Sequence, residues 1–65
     1  MKYRYFVAFQ QRHSDGRDVL ANDQLTLDSP IEQHIDIMSV EQKLRTSRNS
    51  THIVVLNYQL LGTME

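Results

Sequence analysis

Sixty-five residues make a single domain (1-65), and the absence of any cysteine excludes disulfides and thiolate metal sites as its support. A chain of about 60 residues buries only about 60% of the surface it exposes when unfolded, so a partner subunit is the stabilising device left open. Seven Lys and Arg against eight Asp and Glu give a net charge of -1, which excludes a global basic field for nucleic acid or anionic membrane.

The first element runs over residues 2 to 12. Tyr3, Tyr5, Val7 and Phe9 alternate with Arg4, Phe6, Ala8 and Gln10, the period-2 pattern of a strand rich in aromatic and β-branched residues. One face is wholly apolar and the other mixed, which suits a central strand. Arg4 interrupts the apolar run too early for a secretory leader, and no apolar stretch reaches the roughly 20 residues of a membrane helix. A cytoplasmic protein is expected, with no membrane partner.

Ser14-Asp15-Gly16-Arg17-Asp18 reads as a hairpin turn, with Gly16 able to take positive φ. A second strand follows over 19 to 27, with Val19, Ala21, Leu25 and Leu27 on one face and Asp23 interrupting them. Asp and Asn are poor strand formers, so this strand is expected at an edge, with a bulge near Asn22-Asp23.

Ser29-Pro30-Ile31-Glu32 has the form of a capping box. However, Ile31, Ile35 and Met38 fall on nearly the opposite helical face from Ile37, Val40 and Leu44, which one amphipathic helix does not do. The pattern therefore predicts a turn at 29–34 and a helix at about 36–47 with Asp36 near its start, the exact start lying between residues 29 and 37. Ile37, Val40 and Leu44 would face the sheet, Glu41 would pair with Arg45, and Arg45 and Arg48 would favour the helix C-terminus. Asn49-Ser50 closes the helix. The last strand spans Thr51 to Leu61, with Val54, Leu56, Tyr58 and Leu60 on one face and Ile53, Val55, Asn57 and Gln59 on the other. Both faces are apolar at its start, which predicts burial on both sides near 53–56.

These elements give an α+β fold of β-β-α-β order: a three-stranded sheet of order 2-1-3, one helix on one face, and a right-handed crossover. Nothing in the chain is left to cover the second face. That face is expected to be apolar and hidden by a second copy, packed sheet on sheet or edge to edge through the third strand.

Little in the sequence points to chemistry. His13, His34 and His52 match no metal-ligand spacing, no serine sits in a glycine-flanked elbow, and the only glycines are Gly16 and Gly62. No enzyme activity, cofactor or metal is expected. Binding fits better, because Tyr3, Tyr5, Phe6 and Phe9 interleave with Lys2, Arg4 and Arg12, a combination suited to stacking on bases and contacting phosphate. The candidate ligand-binding residues are Arg4, Phe6, Arg12, Arg17, Asn57 and Tyr58. The competing explanations are core packing for the aromatics and solvated strand ends for the arginines. Asn57 either satisfies a neighbour across a bulge or reaches a ligand.

The order of Met1-Lys2-Tyr3 opening an aromatic strand, Leu25-Thr26-Leu27-Asp28, Asp36-Ile37 with Val40-Glu41, and Val54-Val55-Leu56-Asn57-Tyr58 resembles short proteins encoded by phages and prophages. Their last strand is of the Val-Val-x-Leu-Asn-Tyr type, which Val54 to Tyr58 follow without the intervening position. The matching stretches, Tyr3–Phe9, Leu25–Pro30, Asp36–Leu44 and Ile53–Leu61, cover most of the chain. The resemblance implies a role against host immunity in the host cytoplasm, where one class of such proteins sequesters cyclic-nucleotide signals in pockets between subunits. This sequence departs from it in the hairpin, which has Gly16 alone. The expected function is thus an oligomeric binding protein, dimer or tetramer, for a small anionic ligand such as a cyclic nucleotide. The alternatives are a protein inhibitor of a host enzyme and, less favoured, a small nucleic-acid binder.

Overall fold

The computed structural model describes all 65 residues: β1 (Lys2–Arg12), β2 (Asp18–Leu27), α1 (His34–Arg48) and β3 (Ile53–Met64). The sheet order is β2-β1-β3, with both outer strands antiparallel to β1 and therefore parallel to each other. This is the α+β arrangement the element order predicts. No helix is long and apolar enough to cross a membrane.

The hairpin forms as its residues dictate. The Gly16 N–H donates to the His13 carbonyl at 2.9 Å and the His13 N–H to the Arg17 carbonyl at 2.8 Å. Gly16 supplies the φ of +88° that this closure needs. The Asp15 carboxylate accepts from the Arg17 backbone N–H at 3.0 Å and from Arg17 Nε at 2.8 Å, bracing the turn from its own side chain.

The expected bulge near Asn22-Asp23 is absent. The β1–β2 register is unbroken from Tyr3 opposite Leu27 to Arg12 opposite Asp18. Asp23 is tolerated in the strand because its Oδ1 accepts the N–H of Gln24 at 2.8 Å. The irregularities lie instead on the β1–β3 pair, between Arg4/Tyr5 and Ala8/Phe9, where Leu61 and Leu56 are the extra residues of β3.

Each bulge reverses the alternation of β3. Ile53, Val55, Tyr58 and Leu60 stand opposite Gln11, Phe9, Val7 and Tyr5, whereas Val54, Asn57, Gln59 and Gly62 stand opposite Gln10, Ala8, Phe6 and Arg4. The two faces predicted from strict alternation are therefore wrong beyond Val55. The physical gain is clear in the pairing: without the bulge at Leu56, Asn57 would turn toward the core and Tyr58 away from it. Burial on both sides near 53–56 is corrected too, since Ile53 is buried but Leu56 remains 54% exposed.

The core lies between the sheet and α1. Tyr5, Val7 and Phe9 of β1 pack with Leu27, Val40, Leu44 and Ile53. The Tyr5 ring meets Tyr58 edge to face at 6.0 Å, and its hydroxyl accepts the Ile31 N–H at 2.9 Å, tying the β2–α1 connection to the sheet. The helix begins at His34, two residues before the predicted start, and extends to Arg48. Ser29 does not cap it. Asp36, in the first turn, accepts the N–H groups of Glu32 and Gln33 at 2.9 Å each, satisfying donors that the helix start leaves free. Val40 and Leu44 are buried and Ile37 half-buried; of the out-of-phase apolar set, Ile35 and Met38 stay exposed and Ile31, ahead of the helix, packs against the core. Asn49 ends the helix in the left-handed conformation (φ 53°, ψ 46°), with its N–H and that of Ser50 directed to the Arg45 carbonyl. Glu41 does not pair with Arg45; its Oε2 accepts the backbone N–H of Val55 at 3.0 Å.

Candidate binding face

The face of the sheet away from α1 follows from the register. Along β1 it presents Arg4, Phe6, Ala8, Gln10 and Arg12. Phe6 lies between Gln24 and Gln59, and Ala8 between Asn22 and Asn57. Gln10 lies between Leu20 and Val54, and Arg4 between Thr26 and Gly62. The expected apolar sheet face is therefore produced only in part: its Gln10 end carries Leu20 and Val54, 76% and 53% exposed. Past Val54, the bulges in β3 bring Asn57 and Gln59 onto this side in place of Leu56 and Tyr58, so the middle of the face is a half-exposed aromatic ring (Phe6, 38%) framed by four side-chain amides.

Arg4 is the free cation of this face. It takes part in none of the four ion pairs of the chain, which join Lys2 to Asp28, Arg12 to Asp18, Arg17 to Asp15 and Arg48 to Asp23. Its guanidinium lies over Gly62, with Nη2 3.5 Å from where a Cβ on that residue would stand, so the missing side chain leaves room for it. Arg4 and Phe6 are two residues apart on one strand face, which separates them by about 7 Å along the strand.

The other candidates are distributed differently. Arg12 shares the face, but stands six residues from Phe6 at about 3.3 Å per residue, and its Nε donates to Asp18 Oδ1 at 3.0 Å. That hydrogen bond holds the Arg12 pKa above and the Asp18 pKa below their ordinary values. Arg17 sits in the turn, engaged by Asp15, whose carboxyl is held low first by the Arg17 backbone N–H and then by its side chain. Tyr58 is on the opposite face, against Tyr5. Asn57 is on the open face beside the bulge, and its Oδ1 accepts the N–H of Tyr58 at 2.8 Å, leaving its NH2 group toward solvent. The backbone group that Asn57 satisfies is that of the next residue, beside the bulge at Leu56. The fold thus assembles Arg4, Phe6 and Asn57 and leaves Arg12, Arg17 and Tyr58 apart.

Period-2 alternation puts Asn22 with Gln24 on one face of β2 and Asn57 with Gln59 on one face of β3, but does not place either pair beside Phe6. Only cross-strand register does that, and for β3 the register depends on bulges that strict alternation does not foresee. The face is open, without a deep cleft. A groove of about 90 Å³ lies at its far end, between Gln10, Arg12, Asp18, His52 and Val54, well below the roughly 300 Å³ of a small-molecule pocket. His13, His34 and His52 lie in the turn, at the start of α1 and before β3, and no three His, Asp or Glu groups converge on a common point.

Comparison with protein-family models, with curated proteins and with solved structures returned no match to this chain.

Proposed function

We propose that this chain is a non-catalytic binding protein that takes up a small anionic nucleotide, a cyclic nucleotide in particular, on the open face of its sheet, and that it works as a homo-oligomer. The observation that carries this reading is the pairing of an accessible Phe6 ring with an unpaired Arg4 guanidinium on one strand face, framed by amides. A base stacks on Phe6, which is worth about 1–3 kcal/mol per base in comparable sites. The amides of Asn22, Gln24, Asn57 and Gln59 offer donors and acceptors to the base edge. Arg4 supplies a planar fork of donors for a phosphate, displaced along the strand as a sugar displaces phosphate from base.

The same composition argues against catalysis. Between Arg4 and Gln10 the face holds a guanidinium, a ring, a methyl group and amides, none of them a general base at neutral pH. Binding without turnover suits sequestration of a signalling nucleotide, the role implied by the resemblance to phage-encoded proteins.

Titration calorimetry at low salt, with mononucleotides, cyclic mononucleotides and cyclic dinucleotides as probes, tests this directly. Phe6→Ala should weaken the preferred ligand by about tenfold to a hundredfold, Arg4→Gln should do likewise, and Arg17→Gln should change nothing. Absence of binding up to millimolar ligand, or undiminished binding by Phe6→Ala, would overturn the proposal. Binding confined to long single strands, with steep salt dependence, would point to nucleic acid instead.

A further inference from the structure

The two edges of the sheet differ in chemistry. β2 presents Asp18 and Asp23 and is followed by Asp28, and Asp23 occupies the N–H of Gln24. β3 carries no charged residue over its 12 positions, although edge strands are ordinarily blunted by charge, proline or cover. Its protection is partial, and consists of the bulges at Leu56 and Leu61 and of two side-chain caps. Val55, opposite Phe9, donates its N–H to Glu41, and Tyr58, opposite Val7, donates to Asn57, so both point away from β1. Leu60 stands opposite Tyr5 and Thr63 opposite Tyr3, in the same parity along β1. Their N–H groups therefore face outward as well, and no side chain caps them.

The whole β3 edge, with the flank of α1 beside it, is also apolar. Met38, Leu56, Tyr58, Leu60, Leu61 and Met64 each expose between 38% and 54% of their surface. Met38 lies one turn before Glu41, on the flank of α1 that reaches the β3 edge. At roughly 200 Å² per large residue these six present on the order of 600 Å², most of the ~800 Å² per partner of a standard interface.

Resting on the self-association put forward above but not on its ligand, we propose that two copies of this chain pair β3 to β3 in antiparallel fashion, through Leu60–Met64, to form a six-stranded sheet about a two-fold axis. A second copy is the occupant the chemistry selects. The strand is charge-free, so it meets itself without like-charge repulsion, whereas pairing with the acidic β2 edge would set Asp23 against the apolar strip. The contact is isologous and closes as a dimer. It leaves the open face free, so the two Arg4–Phe6 platforms lie side by side on one continuous surface.

Sedimentation equilibrium from micromolar to millimolar protein, with amide hydrogen exchange by NMR, tests this. The wild type should show twice the 7.7 kDa chain mass, with the Leu60 and Thr63 amides protected. Thr63→Pro removes an outward N–H without touching the β1 ladder, and Leu61→Glu sets like charges across the axis. Both should halve the mass while circular dichroism stays unchanged. Leu20→Lys, on the open face, should leave the dimer intact. A monomer at every concentration would overturn the proposal, as would a dimer that survives Thr63→Pro and Leu61→Glu but is lost in Leu20→Lys. Nucleotide binding by a monomer would sink the interface and spare the ligand site; a dimer that binds no nucleotide would do the reverse.

Discussion

Replacing Arg48 with Met removes the guanidinium at the end of α1 and retains most of its aliphatic bulk. In the native fold this group lies over the Phe9 ring, 4.8 Å from its centroid, while Nη1 donates to Gln11 Oε1 at 3.3 Å and Nη2 stands 3.9 Å from Asp23. The cation–π contact is worth about 1 kcal/mol at this partly exposed position. Gln11 is only 8% exposed, so losing its donor strands a buried acceptor at a cost of about 1 kcal/mol or more. The Asp23 contact is long and screened, and adds little. The expected loss is about 2 kcal/mol, a large share of the roughly 3–5 kcal/mol that a core of this size supplies. With a urea slope near 1 kcal/mol/M, the denaturation midpoint should fall by about 2 M, and added salt should leave the difference largely intact. Urea unfolding followed by circular dichroism reads it, with protein concentration held equal. A midpoint within a few tenths of a molar of wild type would refute the reasoning. A loss abolished by salt would place the effect on Asp23 instead of on Phe9 and Gln11.

Two further outcomes follow from the same geometry. Glu41→Ala should free the Val55 N–H and cost about 1–2 kcal/mol, because a charged acceptor is lost; its first sign should be faster exchange of the Val55 amide, and unchanged exchange would contradict the edge cap. Asp18, Asp28 and Asp15 all have carboxyl groups held below their ordinary pKa, chiefly by hydrogen bonds from Arg12, from Lys2 and from the Arg17 backbone N–H respectively. Depressed values mean that their stabilisation is complete above the unfolded pKa and is lost as pH falls through the folded ones. Stability should therefore decline below about pH 4, less steeply in high salt and less steeply in an Asp18→Asn, Asp28→Asn double variant. Urea midpoints at stepped pH check this, and equal slopes in the two proteins would count against the pairing.

Much of the fold was legible from residue order because it depends on local chemistry. The alternation of Tyr3 to Phe9, the turn chemistry of Asp15-Gly16 and the break at Asn49 each act within a few residues, and together they determine the elements, their order and the apolar side of β1. The helix start was less legible. Ser29-Pro30 offers a cap by composition, but Asp36 reaches back to Glu32 and Gln33, and the Tyr5 hydroxyl anchors Ile31 from the sheet. Asp36 satisfies the helix start locally, while a hydroxyl 26 positions away holds Ile31 against the sheet ahead of the helix.

The candidate site was legible only in part. Arg4 and Phe6 belong to the face of one strand, so period-2 reasoning placed them together. Gln24 joined them through an unbroken hairpin register. The contribution of β3 was decided by tertiary structure alone, because an extra residue at Leu56 and another at Leu61 reverse which side chains face the core. A bulge has no reliable local signature: it forms where one added residue lets Tyr58 pack on Tyr5 and turns Asn57 outward. The sequence by itself thus determined the elements and the central strand's two faces, whereas the packing of β3 against β1 decided that the middle of the open face is an amide-framed ring and that Leu56 and Leu61 lie at the edge.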